Sequence, residues 1–195
     1  MPPLETSPLP FRGRAEAARH RDLPPGPVLI SPYDPKWPLL STRQKAKVRE
    51  ALGERALLIE HVGSTAVPGL AARPCVDLLL AVADPDDEPA YLPDLEHAGY
   101  RVAADRDGPF GHRVLEGLDV NLNLHVLGEG DPEIERILAF RDRLAADEDT
   151  RERYRALKDG LAERTWERVD DYIRAKSAFV DAVLAETGAP QRSPS

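Results

Sequence analysis

The 195-residue chain contains a single cysteine, Cys75. One thiol excludes an internal disulfide and any cysteine-based metal site. It lies within an apolar run, where a buried, inert thiol is expected rather than a nucleophile. No apolar stretch approaches the length needed to cross a bilayer, and the first residues lack the apolar core of a signal peptide. A cytoplasmic location without membrane contact is therefore expected. Excess positive charge is also missing: 26 basic residues face 34 acidic ones, for a net charge of −8. No duplex nucleic acid is expected as a partner, because the phosphate backbone demands a basic face. A mononucleotide needs only a local cluster of donors, so that class stays open.

What is present is enough chain for one domain with tails. Residues 1–27 hold seven prolines and little periodicity, which predicts a disordered tail. A second tail is expected over 188–195, leaving 28–187 as the folded domain. Order is predicted to begin with a strand at 28–30. Asp34 and Pro35 then form a helix-start signal, and Gly53 stops that helix. Strands are expected at 56–62 and 74–83, the second an almost unbroken apolar run of the kind covered on both faces. A helix over 88–98 follows, with short strands near 99–104, 112–116 and 119–127. Helices over 132–146, 150–166 and 170–186 complete the chain. Strands first and helices later favour an α+β architecture, a mixed β-sheet flanked by helices with a helical C-terminal part.

Chemistry is concentrated in the run from His61 through Gly63-Ser64-Thr65 to Arg73 and Asp77. Glycine lets successive amides point one way and lets a phosphate approach closely. The hydroxyls of Ser64 and Thr65 add donors. Asp77 is the only charge in its apolar strand, so it must be paired, hydrogen-bonded or bound to a cation. Asp119, Asn121, Asn123 and His125 alternate onto one face of a later strand; that pattern suits either a solvated face or one wall of a site. Lys176 falls within the apolar stripe formed by Tyr172, Phe179 and Val183, and Lys158 lies similarly among Tyr154, Leu157 and Leu161. Each either extends its ammonium to solvent or presents it to a phosphate. Arg113 and Arg141 are weaker cation candidates, Arg141 beside a possible ion-pair partner in Asp142.

The stretch from Ile59 to Leu80 resembles the signature of the GrpB family, with Arg73 where that family usually has lysine. Tyr33-Asp34-Pro35-Lys36-Trp37, Leu124-His125-Val126 and Ala139-Phe140-Arg141-Asp142 agree with it, as do Tyr154 with Leu157-Lys158 and Ala175-Lys176 with Phe179. The resemblance covers about residues 28–187. It implies a nucleotidyltransferase-like, polymerase-β-type fold in which Gly63 and Ser64, with Thr65, grip phosphate. Asp77 would hold magnesium, with Asp119 as a second ligand, and Asp77 and His125 would be catalytic. Arg73, Lys158 and Lys176 would meet the anionic charge of a nucleotide or other phosphorylated small molecule. The superfamily pattern is Asp-x-Asp, and here Leu79 stands at the second position, where no hard cation can be bound. Two functions remain open at this point: magnesium-dependent nucleotidyl transfer from a nucleoside triphosphate to an unknown acceptor, or non-catalytic nucleotide or phosphate binding. Because the family also occurs fused to dephospho-CoA kinase, the second includes an accessory role near coenzyme A metabolism. A purely structural interaction domain is the third possibility.

Overall fold

A computed structural model describes residues 28–104 and 111–190; the expected tail at 1–27, and residues 191–195 of the one expected over 188–195, lie outside them. Helix α1 (Lys36–Leu52) buries Trp37, Ser41, Gln44, Val48 and Leu52. Their spacing of three or four residues keeps one stripe toward the core. The Asp34 carboxylate accepts from the Lys36 amide at 2.9 Å, and Gly53, at φ 57°, ends the helix.

Five strands form one mixed sheet: β1 (Leu58–Val62), β2 (Val76–Val82), β3 (Tyr100–Ala104), β4 (Arg113–Gly117) and β5 (Leu122–Gly128). Their order is β1-β2-β5-β4-β3. The central pair, β2 and β5, is parallel, and the other pairings are antiparallel. Leu78 and Leu80 of β2 pack with Leu122, Leu124 and Val126 against α1. Leu79 points to the opposite face, with Val62 and Leu127, beneath Ile134, Ile137 and Leu138. The continuous apolar run of β2 thus serves two cores at once. That second face is covered by α3 (Pro132–Ala146), and beyond it lie α4 (Glu148–Ala162), α5 (Val169–Ala175) and α6 (Ser177–Thr187).

The mixed sheet with flanking helices and a helical C-terminal part is as the sequence implies; the departures are local. The expected first strand reduces to one bridge, Ser31 with Ala72. The expected 88–98 helix is a 3-10 turn, Glu88–Ala90, followed by α2 (Leu92–His97). Pro93 has no N–H and its ring blocks a helical carbonyl one turn earlier, so the two pieces cannot merge. The last expected helix is split at Lys176, where the Ser177 hydroxyl donates to the Arg174 carbonyl at 2.7 Å and competes with the regular helical bonding. At the far end, Ala189 is still buried and the Pro190 carbonyl accepts from Arg136.

Candidate anion site

Strand β1 runs out at Val62, directly opposite Asp77 in the register. Gly63 then turns at φ 69° into a 3-10 turn, Ser64–Ala66. A Cβ at Gly63 would lie 2.6 Å from Asp77 Oδ2. Glycine is required there twice, by the left-handed backbone and by the carboxylate pressed against it.

Asp77 pairs across the sheet with Asn123, whose Nδ2 donates to Asp77 Oδ1 at 2.8 Å. His125 Nε2 stands 3.6 Å from the same oxygen. On its other side, His125 Nδ1 lies 2.9 Å from His112 Nε2. His125 Nε2 faces the carboxylate as a donor, and a single N–H···N hydrogen bond joins its Nδ1 to His112 Nε2. Burial by itself would raise the Asp77 pKa. The hydrogen bond and charge of His125, the Arg73 guanidinium and the Asn123 amide outweigh it and hold the carboxyl at about 2.

This group forms the floor of a cavity of about 450 Å³ between the sheet and helices α3, α5 and α6. Arg73 and Lys176 look into it beside Asp77. The Lys176 ammonium lies 4.5 Å from the centre of the Tyr172 ring. Burial and then the nearby Arg73 lower its pKa to about 8, with Asp77 pulling the other way. Further along the wall, Val180 and Leu184 of α6 face Ile137 and Phe140 of α3. There Arg136, only 3% exposed, binds Asp181 at 2.7 Å and Glu133 at 3.0 Å.

Of the residues singled out from the sequence, Gly63, Arg73, Asp77, His125 and Lys176 converge on this cavity. Others do not. Thr65 is buried and its hydroxyl meets His61 Nε2 at 3.0 Å, while Ser64 is a hydrogen-bond partner of Tyr154. Lys158 is 2% exposed; its ammonium donates to the Ala71 carbonyl and lies 5.0 Å from the Tyr154 ring centre. It fastens α4 to the loop before β2 instead of facing a ligand. Asp119 cannot join Asp77 on a metal, because β5 starts only at Leu122 and Asp119 pairs with Lys47 of α1 at 3.3 Å. The chain has not yet entered the sheet there, so strand alternation does not govern its direction. Arg141 binds Glu60 and Asp142, and Arg113 binds Glu88. Two residues of the site had no individual signal in the sequence. His112 precedes β4 without a pattern around it, and Asn123 is distinguished from Asn121 only by its register with Asp77. Cys75 is buried, and that burial pushes its thiol well above the ordinary range, as expected of an inert group.

The donor set does not fit magnesium. Among the described residues Asp77 is the only carboxylate the sheet contributes to the cavity wall, and one of its oxygens is taken by Asn123. Leu79, two residues on, is fully buried in an apolar cluster. Among the described residues no group of three or more acidic, histidine or cysteine side chains is placed to hold a metal ion.

The fold and this site define a mixed-sheet domain whose glycine turn and lone strand aspartate border a cation-lined cavity. Residues 27–186 match the family described as GrpB protein, and the chain belongs to that family. It is 44% identical over 162 residues to a UPF0157 protein of Halalkalibacterium halodurans, covering 83% of each chain. The crystal structure of conserved protein GrpB from Enterococcus faecalis superposes with a TM-score of 0.71 at 30% identity, covering 81% of this chain and 96% of that one. A protein of Mycolicibacterium paratuberculosis named dephospho-CoA kinase is 32% identical over 189 residues, with 82% of this chain matched to 46% of its length.

Proposed function

We infer that this protein binds a phosphorylated small molecule in the cavity, and that it does so without a metal ion. The observation that carries the reading is Lys176. Its ammonium is held in the cavity wall beside Arg73, and among the described residues it forms no salt bridge with a carboxylate. A half-buried cation against an apolar wall is costly unless a counter-charge completes it. A phosphate does so, with Arg73 offering a planar fork of donors and Lys176 a compact charge. Nucleotidyl transfer with magnesium is less well supported, because Leu79 and Asp119 leave Asp77 without a partner carboxylate. The likeness to a protein named dephospho-CoA kinase supports trying adenylate compounds of that chemistry first.

The test is ligand-induced thermal stabilisation of the full chain by AMP and by dephospho-CoA, with EDTA or with magnesium. Equal stabilisation in both buffers is expected, and Lys176→Met is expected to weaken it tenfold or more, the worth of a charge-assisted hydrogen bond. Stabilisation that appears only with magnesium, together with pyrophosphate release from a nucleoside triphosphate abolished in Asp77→Ala, would establish nucleotidyl transfer instead.

A further inference from the structure

The floor of the cavity sets an electrostatic problem for any anion. Asp77 stays ionised through the neutral range, its carboxyl held at about 2, and it lines the same cavity as Lys176. An anion drawn toward Lys176 therefore meets a fixed negative charge, whose repulsion is strong where water is sparse. The groups touching that carboxylate decide how the repulsion is met. Asn123 donates to it at 2.8 Å but carries no charge. His125 Nε2 lies 3.6 Å from the same oxygen, and its Nδ1 is bonded to His112 Nε2 at 2.9 Å. His125 is 6% and His112 7% exposed, and both line the cavity.

Counting protons limits what this pair can hold. Two ring nitrogens 2.9 Å apart need one proton between them, so one facing nitrogen stays bare while the bond lasts. A neutral pair carries two N–H groups on four nitrogens, and it can accept one further proton but not a second. As a single cation it gives Asp77 a charge-assisted partner and turns the floor from negative to neutral. The other charged groups around it are already fixed. Arg136 of α3 holds Glu133 and Asp181, and Arg174 of α5 lies 3.6 Å from Asp171. Glu116 of β4, opposite Asn123 in the register, is bound to Arg101. Arg73, which also acts on Asp77, keeps its charge at every pH of interest. His61 of β1 feels Asp77 too, but burial lowers it to about 4 and it stays neutral. Imidazoles are the side chains that ordinarily change charge near neutrality, which singles out His112 with His125.

Resting on the reading of the cavity as a phosphate site, we propose that His112 and His125 belong to the anion-binding surface, and that the ligand is bound together with one proton taken up by this pair. The imidazolium offsets Asp77, so the phosphoryl group no longer faces a net negative floor. Because the bound state holds the extra proton, affinity falls as the pH rises through the imidazole range.

Calorimetric titration of the full chain with AMP in EDTA at pH 7, in two buffers of different ionisation enthalpy, counts the protons. At that pH Lys176, at about 8, and the AMP phosphoryl group, with a second pKa of about 6, are each about nine-tenths in their charged form. Completing the two moves about a tenth of a proton in opposite directions, and the remainder reports the pair. An uptake of about half a proton or more per AMP is expected. Replacing both rings, His112→Gln with His125→Gln, is expected to lower it at least about threefold. In the unaltered chain, the ring signals of His112 and His125 in NMR spectra should move to their protonated positions when AMP is added, while those of His61 stay neutral. Uptake below about a fifth of a proton, or ring signals already protonated without AMP, would overturn the proposal. Undiminished uptake in the doubly substituted chain would do the same, by assigning the proton elsewhere. If AMP does not bind at all, the phosphate reading itself fails, an outcome distinct from binding without proton uptake.

Discussion

Substituting alanine for Gly63 tests the central packing of the site. The new methyl carbon would lie 2.6 Å from Asp77 Oδ2 and 3.3 Å from its Cβ and Cγ. Two costs follow. Holding a non-glycine residue at φ 69° costs about 1–2 kcal/mol. Moving the carboxylate away breaks its bond from Asn123 at 2.8 Å, and a hydrogen bond to a charged group contributes about 1.5–3 kcal/mol. Together Gly63→Ala should destabilise the domain by about 2.5–5 kcal/mol, read as a lower denaturant midpoint with an unchanged m value. The double-mutant cycle with Asp77→Ala separates the two costs. Without the carboxylate the 2.6 Å clash is gone, so the second cost should vanish and a coupling of about 1.5–3 kcal/mol should appear. Strict additivity, or a Gly63→Ala cost below about 1 kcal/mol, would show that the carboxylate is not where the structure puts it.

Three other perturbations report on different parts of the molecule. The Asp77 carboxyl is held at about 2, below its ordinary 3.8, so its stabilisation is present above pH 4 and lost as the pH falls from about 4 toward 2. Asp77→Asn should flatten the acid limb of the stability profile in that window by about 2 kcal/mol. Lys158, whose pKa burial and then the nearby Lys176 lower to about 7, gives the same direction in a different window: its charged form is disfavoured in the fold, so wild-type stability should rise from pH 7 toward 10, and Lys158→Met should reduce that rise in urea titrations. Arg136→Lys keeps the charge but not the fork that reaches Glu133, Asp181 and the Pro190 carbonyl. A loss of about 2–4 kcal/mol is expected, with hydrogen exchange accelerated first in α6.

The elements of this fold that could be read from the chain are those whose local physics is strong. Asp34 with Pro35 and Gly53 bracket α1, and the apolar run of β2 announces a strand buried on both faces. Gly63, Arg73, Asp77 and Lys176 stand out one by one because each departs from its surroundings: a glycine before hydroxyls, charges inside apolar stripes; that they converge is visible only in the fold. The same logic misassigned Lys158, which has the same kind of neighbours as Lys176. Sequence shows that an ammonium is enclosed by apolar groups, but not whether a backbone carbonyl such as that of Ala71 waits at its tip. Asp119 was lost to a boundary error of three residues, since alternation assigns a face only once the strand has begun. His112 could not be read at all, because its role depends on a register between β4 and β5 that no local pattern encodes.

The parallel pairing of β2 with β5 has a consequence for how the molecule is made. Asp77 waits 46 residues along the chain for Asn123, and the β3–β4 hairpin must be threaded in between before β5 can take its place at the centre of the sheet. Lys176 arrives later still. Contacts of such long separation form slowly because their loop closure is opposed by entropy before packing rewards it. During synthesis, then, the Asp77 carboxylate is hydrated at first and becomes part of a cavity only when the second half of the chain folds over it. The cavity is acquired last, as the product of a completed domain rather than of any fragment of it.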